Sequence, residues 1–114
     1  MNNISTGILL FITTHIIIWF QVNGQFVWPW AKEHPWVMAT LGIPISYALI
    51  IATKYIVAGF DGLLWPGRLV GFESGMIVMA VLTWCMLGEG ISTKTLVSLI
   101  LATGLVCVQV FWKV

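Results

Sequence analysis

Residues 4–22, 36–53, 69–87 and 95–112 form four long apolar runs, and Glu73 is the one Asp, Glu, Lys or Arg within them. Each run is close to the roughly 20 residues that a helix needs to cross a bilayer. The runs are continuous rather than alternating, which favours helices over the strands of a barrel. Four such spans with short connections use up all 114 residues, so one domain over 1–114 is expected. The balance of residues agrees, with 60% hydrophobic and 8% charged and a mean hydropathy of +1.01. Soluble domains average about 45–50% apolar and about 25% charged residues. The sequence therefore predicts an all-α integral membrane protein, a bundle of four transmembrane helices with short loops.

The connections carry the polar and aromatic residues. "FVWPWAKEHPW" (26–36) joins the first two spans, "KYIVAGFDGLLWPGR" (54–68) the next two, and "GEGISTK" (88–94) the last two. The start of the middle loop, "YIVAGF", is apolar enough to extend the second helix. Pro29 and Pro35 remove backbone donors and suit a connection. Tryptophan gathers at the membrane–water interface, where the ring meets apolar chains and the N–H meets water. Trp28, Trp30 and Trp36 are read as such a belt on one side, with Trp65 and Trp112 anchoring the other. The alternative is an aromatic site for a cationic ligand. "MNNISTG" has no Lys or Arg, and the run after it is long for a signal peptide, so the first helix is expected to be a permanent span.

With four spans both termini share a side. That side collects Lys54, Arg68 and Lys113, against Lys32 and Lys94 on the other. The excess favours cytoplasmic termini in a cell inner membrane, and its margin of one residue leaves insertion in both orientations open. Net charge is +1 with no basic tract, so no nucleic acid partner is expected. Cys85 and Cys107 lie at different depths, roughly 18 Å apart along the helices. They read as unbridged, small packing residues. No metal-ligand spacing, nucleophile elbow, P-loop or dinucleotide fingerprint occurs, so neither an enzyme, a metal nor a cofactor is expected.

Polar residues inside the spans are costly and therefore informative. Glu73 falls roughly 9 Å beyond the Pro66–Gly67 break. It must be paired, protonated or in a wet cavity, and Arg68 is its candidate partner if its role is structural. Gly67, Gly71 and Gly75 recur every four residues, which allows close approach of another helix. Glu73, Ile77, Ala80 and Trp84 lie along a different stripe, two residues or about 200° away. In the first helix Thr14 and His15 are the polar points, with Phe11, His15 and Trp19 on one face. Thr14 can satisfy itself on the preceding turn. His15 is either a satisfied core histidine or a proton- or ligand-binding one. The candidate substrate- or proton-binding residues are Glu73, His15, Trp84 and Thr14, with His15 and Glu73 expected in one polar interior. Gln109 is expected to form an interhelical hydrogen bond.

The segment "SGMIVMAVLTWCMLGEGISTKTLVSLILATGLVCVQVFW" (74–112) resembles the last two helices of small multidrug resistance proteins, members of the drug/metabolite transporter superfamily. The resemblance rests on Thr83–Trp84, the Gly88-Glu89-Gly90-Ile91-Ser92 turn and Gly104. It implies a four-helix subunit of an oligomeric transporter, with Trp84 as either a cavity wall or a packing residue and Gly104 in helix packing. The family's essential first-helix Glu has no counterpart here, where Thr14 and His15 occupy that region. Drug/proton antiport therefore does not carry over.

Two functional classes follow. One is a small transporter that moves a small metabolite or ion as a homo- or hetero-oligomer in the lipid bilayer. The other is a non-transporting membrane subunit, scaffold or small pore-forming protein within a larger complex.

Overall fold

Asn2 starts the first helix by accepting a hydrogen bond from the Ser5 backbone N–H at 2.7 Å. This satisfies one of the donors that a helix start leaves free. Helix α1 then runs over Asn3–Asn23 and is extended by a single 3-10 turn, Gly24–Phe26. The structure, a computed structural model, describes residues 2–112; Lys113, counted above toward orientation, lies outside them.

The proline-rich connection is helical. Pro29 and Pro35 each occupy the first turn of a short helix, α2 (Pro29–Glu33) and α3 (Pro35–Thr40). A helix's first N–H has no partner, so proline costs nothing there. His34 joins the two helices. Its Nδ1 donates to the Trp30 carbonyl at 2.8 Å, and its ring stacks on Trp30.

Helix α3 leads at Leu41 into α4 (Gly42–Gly59). Pro44 explains the break. It cannot donate to the Thr40 carbonyl, and its ring crowds that turn. The Gln21 amide of α1 donates to the Met38 carbonyl beside the break at 3.1 Å.

The second span therefore covers Pro35–Gly59 rather than 36–53. "YIVAGF" does extend it, and the middle loop shrinks to the turn at 60–63. Asp61 and Gly62 there take positive φ, a conformation that Gly adopts freely and Asp tolerates. Helix α5 begins at Leu64, not 69, and runs to Leu87. Pro66 and Gly67 lie inside its first turn and do not break it. Gly88 ends α5 in the left-handed conformation, with its N–H on the Trp84 carbonyl at 3.0 Å. Ser92 then caps α6 (Thr93–Phe111) through the Thr95 N–H.

The protein is an all-α, multi-pass membrane protein whose four spans are Asn3–Phe26, Pro35–Gly59, Leu64–Leu87 and Thr93–Phe111. Helix α1 packs between α4 and α5, and α6 lies against α5. The core is Phe11, Ala52, Ile56 and Val70. Ile56 meets two glycines. A Cβ on Gly7 would stand 3.0 Å from its backbone nitrogen, and one on Gly67 2.8 Å from its Cγ2. Gly59 is held as tightly against Ile4. Glycine thus sets the α1–α4 spacing, as small residues do where helices meet in a bilayer. Among the described residues of α6 only Ala102 is buried.

Candidate functional site

Helix α5 divides the polar groups of the membrane interior between its two sides. On one side Gly71 and Gly75 receive α1. A Cβ on Gly71 would lie 3.1 Å from the Phe11 ring, and one on Gly75 2.9 Å from His15 Cε1. The residues that meet this stripe are Phe11 and His15, with Trp19 one turn further along α1. The Phe11 and His15 rings stack with centroids 6.3 Å apart. His15 Nε2 donates to the Gly71 carbonyl at 3.1 Å. A carbonyl can only accept, so this nitrogen carries the hydrogen. The buried Trp19 donates from Nε1 to Thr83 Oγ1 at 3.1 Å.

Beside this contact a cleft of about 810 Å³ opens between α1, α4 and α5. Ligand pockets span about 300–1,000 Å³, so it can hold a small organic molecule. Aromatic rings and methionines form its walls, including Trp19, Trp65, Phe72, Met76 and Met79. His15, Asn23, Thr53 and Arg68 supply its polar points.

Glu73 faces the other way, toward α6. The Thr103 hydroxyl donates to its Oε1 at 2.6 Å and also lies 2.9 Å from the Leu99 carbonyl of its own helix. Oε2 is buried without a hydrogen-bond partner among the described residues. The Glu73 residue borders a second cavity of about 340 Å³ between α1, α5 and α6. Ile8, Phe60, Val70 and Val106 wall that cavity, and its other polar residue, Ser74, spends its hydroxyl on the Val70 carbonyl. Because Pro66 and Gly67 lie inside α5, which starts at Leu64, Glu73 lies about 13 Å from the helix start rather than about 9 Å past a break.

Several expectations change. His15 and Glu73 do not share one polar interior. The two-residue offset from the glycine stripe puts Glu73 across α5 from the face that His15 touches. Glu73 meets Thr103, and Arg68 lines the other cleft. Trp84 is 59% exposed on the outer surface, away from both cavities. Thr14 is buried outside both, its hydroxyl donating to the Leu10 carbonyl at 2.6 Å. Gly104 faces open space, so within one chain it packs against nothing. Gln109 is exposed and makes no side-chain hydrogen bond among the described residues. Cys85 and Cys107 are free and exposed rather than packed inside. Trp28, Trp30, Trp36, Trp65 and Trp112 are all exposed at the span ends. Among the described residues no group of three His, Cys, Asp or Glu is placed to hold a metal ion.

Compared with protein families, curated proteins and solved structures, the chain has no match.

Sequence reasoning did not single out Thr103 or Asn23, it named Thr83 only within the motif that carries the resemblance, and it read Arg68 only as a topology marker or a partner for Glu73. A lone Thr in a span satisfies itself on its own helix as a rule. Nothing in the pattern marks the two that reach across to a neighbour.

Proposed function

We propose that this protein is a small membrane transport protein that works as an oligomer, with Glu73 as its proton-exchanging group. The observation that carries the reading is the second carboxyl oxygen of Glu73, buried within a span without a hydrogen-bond partner among the described residues. A purely structural carboxyl in a span is expected to be fully paired, because each unsatisfied buried group is costly. The site suits two states. With a proton, Glu73 can donate to Thr103 Oγ1 while Thr103 donates to the Leu99 carbonyl. Without it, the single Thr103 hydrogen turns to the carboxylate, and Oε2 is left to attract a cation or another proton.

The cleft between α1, α4 and α5 offers a substrate space of suitable size on the opposite side of the same helix. The four-span layout and the likeness of residues 74–112 to small multidrug resistance proteins support a carrier. The nearly bare α6, where among the described residues only Ala102 is buried and Gly104 faces open space, supports assembly through that helix. The excess of Lys54, Arg68 and Lys113 over Lys32 and Lys94 supports cytoplasmic termini in a cell inner membrane.

The test is flux in proteoliposomes under an imposed pH gradient. Glu73→Gln keeps the shape and hydrogen-bonding capacity and removes titration. It should abolish the pH dependence while the assembled protein elutes as wild type. Wild-type behaviour of Glu73→Gln, with destabilisation confined to Glu73→Leu, would make Glu73 structural.

One observation favours a second reading. The exposed face of α6 also fits a different chain, which would make this protein an accessory subunit. Co-purification of another polypeptide at fixed stoichiometry from mild detergent would select that reading.

A further inference from the structure

We infer that the cleft between α1, α4 and α5 takes a small amphipathic organic anion, its charged group at Arg68 and its apolar body against the aromatic and methionine walls. The inference rests on the transport reading and adds the substrate class.

The charge of the lining carries it. Among the described residues that line the cleft there is no Asp or Glu, and Arg68 supplies the one formal charge. At the edge of so apolar a cleft, a guanidinium with no carboxylate in the lining attracts anions and repels cations. Its planar fork also matches a carboxylate with two parallel hydrogen bonds. The carboxylate nearest in sequence on the same helix, Glu73, is turned to α6 and held by Thr103, so it does not neutralise Arg68 from within the cleft.

Position fits as well. Arg68 is four residues into α5, about 6 Å from the helix start, where an arginine can reach both the interface and the cleft. His15 lies beside Gly71 and Gly75, roughly 5–10 Å further along the same face. Between and beyond them Phe72, Met76 and Met79 continue that face at helical spacing. A ligand lying along α5 would therefore meet a cation at its outer end and apolar rings and thioethers over its length. Methionine suits such a wall because its unbranched chain adapts to the shape of its partner.

The test is equilibrium dialysis of the full-length chain in a nonionic detergent against three isosteric probes: 2-naphthoate, 2-naphthylmethanol and 2-naphthylmethylammonium. Naphthoate should bind most tightly and the ammonium compound least. Arg68→Gln should weaken naphthoate about tenfold or more, the scale of one charge-assisted contact, and leave naphthylmethanol within about twofold. Arg68→Lys should recover part of the loss. Arg68 is exposed, so these variants should elute as wild type on size exclusion.

The inference is overturned if the ammonium compound binds as well as naphthoate, if Arg68→Gln weakens all three alike, or if none binds. It is equally overturned if dioctanoylphosphatidylglycerol binds through Arg68 while naphthoate does not, because the cleft is then a lipid site. Dialysis reads binding alone. A chain that binds naphthoate without any flux removes the transport reading and keeps the ligand class. A chain that carries pH-dependent flux of another solute and ignores naphthoate does the reverse.

Discussion

The indole N–H of Trp19 donates to the hydroxyl of Thr83 across 64 positions of sequence, at 3.1 Å and with both residues buried. This bond ties the second half of α1 to the last turns of α5, beyond the reach of the glycine stripe. Hydrogen bonds between membrane helices contribute about 0.6 kcal/mol on average and up to about 1.7. Thr83→Val keeps the shape and strands the indole N–H, so it should destabilise by about 1–2 kcal/mol in thermal unfolding. Thr83→Ser should retain most of the stability, and Thr13→Val, on the exposed side of α1, should change little. Equal stability of all three variants would remove the bond from the account of α1–α5 packing.

Glycine substitutions should separate by what a new Cβ meets. Gly7→Ala would press on the Ile56 backbone, which cannot rotate away, and overpacking of this kind costs about 1–3 kcal/mol. Gly71→Leu should be worse, driving a branched chain into the Phe11 ring, whereas Ile77→Leu on the exposed side should be tolerated. Gly104→Ala meets nothing in one chain and should gain up to about 1 kcal/mol from helix propensity. A loss of oligomer with unchanged monomer folding in Gly104→Ala would show instead that this glycine packs against a partner. Chemical crosslinking and thermal melts read the two effects separately.

The Glu73–Thr103 contact should reveal a stability–function conflict. Replacing a poorly satisfied buried carboxyl by an apolar group of similar volume is often neutral or stabilising. Glu73→Met is therefore expected to melt at or above the wild-type temperature and to lose pH-dependent flux. Thr103→Val removes the hydrogen bond to Glu73 Oε1 and should lower the melting temperature. A Glu73→Met variant that melts well below wild type would mean that the carboxyl is paired in the assembled protein.

Four spans fix the relation between the connections. In single-cysteine backgrounds labelled with a membrane-impermeant maleimide, Glu33→Cys and Glu89→Cys should react to the same extent, because both lie at one end of the bundle. Asp61→Cys should react to the complementary extent. Equal, complete labelling of all three in sealed vesicles would contradict the span assignment.

Span number, helical class and the polar points at His15 and Glu73 were legible in the sequence, because the bilayer demands long apolar helices and makes each exception costly. The second span reads in sequence as one run over 36–53, although Pro44, which accounts for its break, lies within it. Pro29 and Pro35 looked like breakers although proline also starts helices. The glycine spacing on α5 marked a contact face, and the two-residue offset put Glu73 on another.

Which helix took each face was decided only in three dimensions. In a span apolar all round, no polar stripe separates the side that meets lipid from the side that meets protein, since lipid tails are as apolar as leucine. Shape settles the matter instead. The rings of Phe11 and His15 fit the flat surface left by Gly71 and Gly75, and Ile56 fits between Gly7 and Gly67. That packing sends His15 to the α1–α4–α5 cleft and Glu73 to Thr103 on the far side of α5. Close packing depends on the relative rotation and depth of whole helices, and no single span carries that information.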